Sequence, residues 1–150
     1  MTIQVKGLRK KYFNKEAVKG VDFTIEPESI IGLLGRNGAG KSTVLNMIAR
    51  RIEKTSGDIT LDGVDLHKTP RAMHQVYLSS TENWFPKEYK FKDLLSIYKR
   101  TYPEFDSEFA EDLIKVFGVN VKERFSKAST GYQSIMKIIL ALCNPSEYIF

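Results

Sequence analysis

The octapeptide Gly35-Arg36-Asn37-Gly38-Ala39-Gly40-Lys41-Ser42 satisfies every fixed position of the pattern G-x-x-x-x-G-K-[ST]. The chemistry that this spacing serves is the capture of a polyphosphate. Glycines admit a sharp turn and keep side chains out of the way. Successive backbone N–H groups can then converge on phosphate oxygens, and the positive end of the following helix adds a favourable field. Lys41 would neutralise the terminal phosphates, and Ser42 would offer a hydroxyl ligand to the magnesium ion (Mg2+) that accompanies a triphosphate. Thr43 adds a second hydroxyl in the first helical turn. Residues 35–43 therefore read as a nucleoside triphosphate site.

Such a loop works only between a strand and a helix. The apolar run Ile30, Ile31, Leu33 and Leu34 is expected as the buried strand that feeds it. After the loop, Val44, Leu45, Ile48 and Ile52 recur at three and four residues and predict one face of a helix from Lys41 to Ile52. Upstream, Val18, Val21, Phe23 and Ile25 alternate with polar neighbours before a turn at Pro27-Glu28-Ser29, so residues 3–34 read as strands and turns. Ser56 to Gly63 reads as a short strand bounded by turns, and Gln75 to Ser79 as another.

The pattern changes near Lys90. Leu94, Leu95 and Tyr98, then Phe109, Leu113, Val116 and Phe117, are spaced for helices split at Pro103 and stopped near Gly118. Ser129 reads as an N-cap ahead of the apolar stretch Ile135 to Leu142, which Asn144-Pro145 ends. A last strand begins at Tyr148.

With 150 residues, 42% hydrophobic and 27% charged, the chain has enough apolar surface for a packed core. No run of eighteen apolar residues exists, and Met1 to Lys6 lacks the hydrophobic block of a signal peptide, which points to a cytoplasmic location. Cys143 is the single cysteine and is expected to be buried in its helix. His67 and His74 lack companions at metal-ligand spacing, so they read as surface residues and zinc is not expected. The net charge of +5 comes from dispersed groups such as Arg9-Lys10-Lys11 and Lys99-Arg100, which reads as a solvated surface rather than a nucleic-acid footprint.

Taken together, these features resemble the nucleotide-binding domain of ATP-binding cassette (ABC) proteins along essentially the whole chain. Tyr12, in Arg9-Lys10-Lys11-Tyr12-Phe13, matches the family's aromatic that stacks on adenine, although it also reads as a strand-edge aromatic. Val18 resembles the aliphatic residue beside the base. Ala128-Ser129-Thr130-Gly131-Tyr132-Gln133 resembles the signature L-S-G-G-Q, with Ala128, Thr130 and Tyr132 in place of leucine, glycine and glutamine. The resemblance implies that Ser129, Thr130, Gly131 and Tyr132 meet ATP held by a second ABC subunit. After Val76-Tyr77-Leu78 the family places a glutamine near magnesium. Here Ser80 takes that slot, and Glu82 would reach the metal only if the loop shifts by two residues; Gln75 reads as structural. Trp84, Phe85, Pro86 and Tyr89 resemble the groove that receives an integral-membrane permease subunit, and equally read as packing between subdomains. The segment Tyr98 to Asp106 resembles the branch exporting drugs, lantibiotics or bacteriocins.

The resemblance implies an α/β P-loop NTPase fold of ABC type. It would comprise an N-terminal antiparallel β subdomain with the P-loop core (1–89), a helical subdomain (90–128), and a signature helix leading to the start of a strand (129–150), with the RecA-like core incomplete. The family's magnesium-orienting aspartate, water-polarising glutamate and later histidine would lie beyond Phe150. The 150 residues are therefore expected to bind ATP and Mg2+ with negligible turnover. The implied role is that of a transport ATPase on the inner face of the membrane. The contrasting classes are a soluble regulatory or ribosome-associated cassette protein and a P-loop metabolite kinase. The first calls for linked cassettes or a basic arm, and the second for no upstream aromatic loop or downstream phosphate-binding helix.

Overall fold

The structure is a computed structural model that describes residues 1–80 and 85–150. The chain divides into two compact units, Met1–Val76 and Tyr77–Phe150. The expected partition at 89/90 and 128/129 cuts through the second of these. There, Phe91, Leu94, Phe105 and Phe125 share a core with Met136, Ile139 and Leu140 of the signature helix.

In the first unit, β1 (Ile3–Tyr12) pairs antiparallel with β2 (Lys15–Ile25) on one side and β3 (Ser56–Leu61) on the other. β4 (Val64–Asp65) completes the order β2-β1-β3-β4. Ile3, Val5 and Leu8 of β1 are buried, and the register slips between Val5 and Leu8 so that apolar residues three apart face the same core. At the slip, Gly57 lies against the Gly7 carbonyl and Leu8 Cα, leaving no room for a side chain. Asp62 and Gly63 both have positive φ (47° and 79°), the requirement of a two-residue type I′ turn joining β3 to β4.

Helix α1 (Lys41–Ile48) packs on β2 and buries Val44, Met47 and Ile48. Each buried side chain contributes about 1.5–3 kcal/mol of transfer free energy. The helix stops short of the expected Ile52. Arg51 N–H donates to the Asn46 carbonyl (2.8 Å) and Arg50 N–H to that of Met47 (3.1 Å), with Arg50 at φ 54°. This is a Schellman stop, built without the usual glycine. α2 (Pro70–Met73) is a single turn.

Two expectations fail in this unit. Residues 30–34 form no strand: Ile30 is 105% and Leu34 92% exposed. An apolar run becomes a buried strand only when ladders flank it, and among the described residues none pairs with this one. The feeding strand of the RecA-like core is thus not formed. His67 is buried at 8% exposure rather than at the surface, drawn in beside Leu66 by the β4 hairpin, whereas His74 is exposed.

In the second unit, Tyr77 of β5 (Val76–Tyr77) meets the end of β6 (Tyr148–Ile149) through Phe150 N–H donating to the Tyr77 carbonyl (2.9 Å). α3 (Phe91–Thr101), α4 (Ser107–Val116) and α5 (Thr130–Leu142) surround the core. Asp106 caps α4 by accepting from Phe109 N–H (2.9 Å). Residues 89–92 and 121–125 zip together through Phe91 N–H to the Glu123 carbonyl (3.1 Å) and Phe125 N–H to that of Tyr89 (2.9 Å), which leads the chain into α5. Among the described residues no helix is long and apolar enough to cross a membrane.

Cys143 is buried as expected, and burial, then the nearby Asp106 charge, pushes its thiol up from 9.0 to about 11. Its unfolded form ionises first, so this group's contribution to stability is lost as pH rises above 9.0 towards 11. At pH 8, iodoacetamide should label native chain at least about 100-fold more slowly than urea-unfolded chain, from the thiolate fraction alone. Replacing Arg50 by glycine should raise unfolding free energy by about 1 kcal/mol in denaturant titration, because glycine adopts the left-handed stop without strain.

Candidate functional site

The phosphate loop is built around Gly40, the residue preceding α1, at φ 90° and ψ 5°. A Cβ there would stand 2.6 Å from the Ala17 carbonyl oxygen and 3.2 Å from Val18 Cγ2, both on β2. Only glycine can make this left-handed turn so close to the sheet. The first helical bond is Val44 N–H to the Gly40 carbonyl (2.9 Å), so the N–H groups of Lys41, Ser42 and Thr43 form the open, positive end of α1. Gly35 (φ 154°) and Gly38 (φ 82°) shape the preceding loop, which Ala39 N–H tightens by donating to the Arg36 carbonyl (3.1 Å). Arg36, Asn37, Gly38 and Ala39 are exposed, and a Cβ on Gly38 would meet nothing within 4 Å.

Lys41 Nζ donates to the carbonyls of Gly35 (2.6 Å) and Arg36 (3.1 Å), which hold the ammonium over the loop. The Ser42 side chain is exposed, and its carbonyl accepts from Asn46 Nδ2 (2.7 Å), bracing the first turn. Positive charge, open amides and a hydroxyl together suit a polyphosphate and its divalent cation. For the expected adenine contacts, Tyr12 is 42% exposed at the end of β1, with Lys10 Nζ 4.9 Å from its ring centroid. Val18 is 3% exposed and lies against Gly40, which gives it a part in seating the loop.

In the second unit, Ser129 caps α5 as expected: its Oγ accepts from Tyr132 N–H (3.2 Å). Ser129, Thr130 and Gly131 are exposed at the helix start. Tyr132, by contrast, turns inward. Its hydroxyl accepts from Asn120 N–H (2.5 Å) and donates to the Gly118 carbonyl (3.3 Å), tying the signature to the turn after α4. Tyr132 is thus engaged in the helical core rather than presented with Ser129. Glu82 and Trp84 lie outside the described residues.

Beyond Thr130, the polar face of α5 carries residues to which the sequence pattern assigns no role, Lys137 among them. Ser79, Ser80, Thr130, Gln133, Ser134, Lys137 and Ile138 line a cleft of about 170 Å³. Into it Lys137 donates to the Ser80 carbonyl (2.8 Å), and burial lowers the pKa of this ammonium. The signal was a lysine inside an otherwise apolar helical stretch.

The profile described as ABC transporter matches residues 18–150. The chain belongs to the ABC transporter family. ABC transporter ATP-binding protein YtrB of Bacillus subtilis (strain 168) is 34% identical over 139 residues, covering 93% of this chain and 48% of YtrB. Lipopolysaccharide export system ATP-binding protein LptB of Haemophilus influenzae is 30% identical, covering 98% of this chain and 65% of LptB. The chain spans about half the length of YtrB and less than two thirds of LptB. A solved structure described as the ATP binding subunit of an ABC transporter superposes with a TM-score of 0.83 at 22% identity, over 97% of this chain and 63% of that one, and establishes the shared fold. The P-loop NTPase fold of ABC type expected from the resemblance is therefore the fold of this chain.

Replacing Gly40 by alanine should cost about 2–4 kcal/mol of stability, combining left-handed strain with a backbone clash. Thermal unfolding should show the loss, whereas Gly38→Ala, with open space around it, should show the backbone strain alone.

Proposed function

We propose that this chain is the ATP-binding part of an ABC transporter, and that in the whole protein it couples ATP binding and hydrolysis to export through separate membrane subunits. The observation that carries this reading is the phosphate loop. Gly40 is locked against β2, the α1 amides are open, and Lys41 stands over a loop of exposed backbone. Lys41 and the open amides of residues 41–43 would hold the phosphates, Tyr12 would stack on adenine, and Ser42 would hold magnesium. Bound magnesium would supply charge neutralisation at the phosphates.

A second copy or a related cassette would present Ser129, Thr130 and Gly131 to that nucleotide from the N-terminus of α5, with phosphate recognition again resting on helix-end amides. Tyr132 would act by setting the pose of that helix start. A permease subunit on the inner face of the membrane would be the other partner, with Phe85 and Tyr89 as candidate anchors. The export direction rests on the likeness of Tyr98 to Asp106 to drug and bacteriocin exporters; the similar proteins bear names of both export and import systems.

Isothermal titration calorimetry with Mg-ATP should give saturable heat at one site per chain. Lys41→Ala should weaken binding at least about tenfold, the loss of one charge-assisted phosphate contact. Saturable binding that is indifferent to Lys41, or no heat at all from folded protein, would overturn the assignment.

A further inference from the structure

We propose that Lys137 is a positioning residue that clasps the loop after β5 to the signature helix, so that the Ser79–Ser80 backbone and α5 shift together when the helix start engages phosphate.

The helix is two-faced. Met136, Ile139 and Leu140 are buried in the core, while Thr130, Ser134 and Lys137, spaced at four and three residues, share the opposite face. A lysine there would ordinarily extend its stem along the helix and leave its ammonium in water. Instead Nζ crosses the cleft to the Ser80 carbonyl (2.8 Å) and stands 5.9 Å from the ring centroid of Phe125, a core residue packed edge-on to Phe85 at 5.0 Å. A hydrogen bond from an ammonium is about twice as strong as a neutral one, and partial burial strengthens it further.

The other end of the same short loop is also tied. Ser79 N–H donates to the Phe150 carbonyl (2.7 Å), and Phe150 N–H donates to that of Tyr77 (2.9 Å). The loop backbone is thus held by Phe150, next to β6, at Ser79 and by α5 at Ser80. Between Thr130 and Lys137 the helix is continuous, with a rise of about 10 Å. A continuous helix transmits a displacement of its capped end along its length. Any movement of Ser129 is therefore felt at Ser80, on the loop that precedes the segment expected to sense the metal. The consequence for turnover rests on the transporter reading above; the clasp itself does not.

The test compares Lys137→Met and Lys137→Arg in the full natural protein with its membrane partner, using Mg-ATP as the probe. The methionine variant keeps the stem and loses the donor. Amide hydrogen exchange at residues 78–80 should accelerate about tenfold, as local opening is released. ATP affinity should stay within about twofold while kcat falls about fivefold, the mark of a lost positioning contact rather than lost binding. Arginine should restore both. If the methionine variant does not fold, Lys137→Gln, which keeps a donor without the charge, is read by the same exchange measurement and should give an intermediate acceleration. Wild-type exchange at 78–80 in the methionine or glutamine variant overturns the clasp, as does a loss of ATP affinity that matches the loss of kcat. A wild-type protein that binds no Mg-ATP overturns the transporter reading while leaving the exchange result to judge the clasp.

Discussion

The approach of Gly40 to β2 is the constraint on which the first unit depends. The Ala17 carbonyl and Val18 side chain occupy the space that any other residue would need for its Cβ. This close approach fixes where α1 begins, and so where its free amides point. Burial of Val44, Met47 and Ile48 then holds the helix on the sheet. Packing and site are one device: the same turn that lets apolar side chains reach the core leaves the positive helix end exposed. Val18 illustrates the economy, since a residue matched to base packing by family likeness also forms the wall behind the loop.

The second unit solves a related problem with side chains. Ser129 satisfies one amide of α5, and the helix start stays exposed because the Tyr132 hydroxyl pins the first turn to Gly118 and Asn120. Departures from the family signature are thus not simple losses. An aromatic with a polar tip can be buried only if that tip finds partners, and the turn after α4 supplies two. Further along, Lys137 connects the same helix to the loop after β5. Cap, tyrosine and lysine are joined by one continuous helix, which makes α5 a rigid reporter of whatever meets its first residue.

Local chemistry explains which elements were legible beforehand. The β3 strand with its Asp62-Gly63 turn, the helices flanking Pro103, the Ser129 cap and the burial of Cys143 follow from turn residues, capping preference and apolar spacing, all short-range signals. The failures have different causes. Ile30 to Leu34 has the composition of a buried strand but no ladder partner among the described residues. Arg50 ends α1 early through a left-handed stop that glycine would have announced. His67 is buried by a hairpin too short to show a period.

The residues alone determined that a polyphosphate loop precedes a helix, because that motif is a set of conformational and charge requirements met within a few consecutive positions. They also determined the ABC family likeness, carried by the order of such motifs along the chain. Only the tertiary structure decided that Gly40 is indispensable, that Tyr132 faces inward, and that Lys137 reaches Ser80. Those facts depend on atoms distant in sequence competing for the same few ångströms, and no local pattern encodes which neighbour will be there.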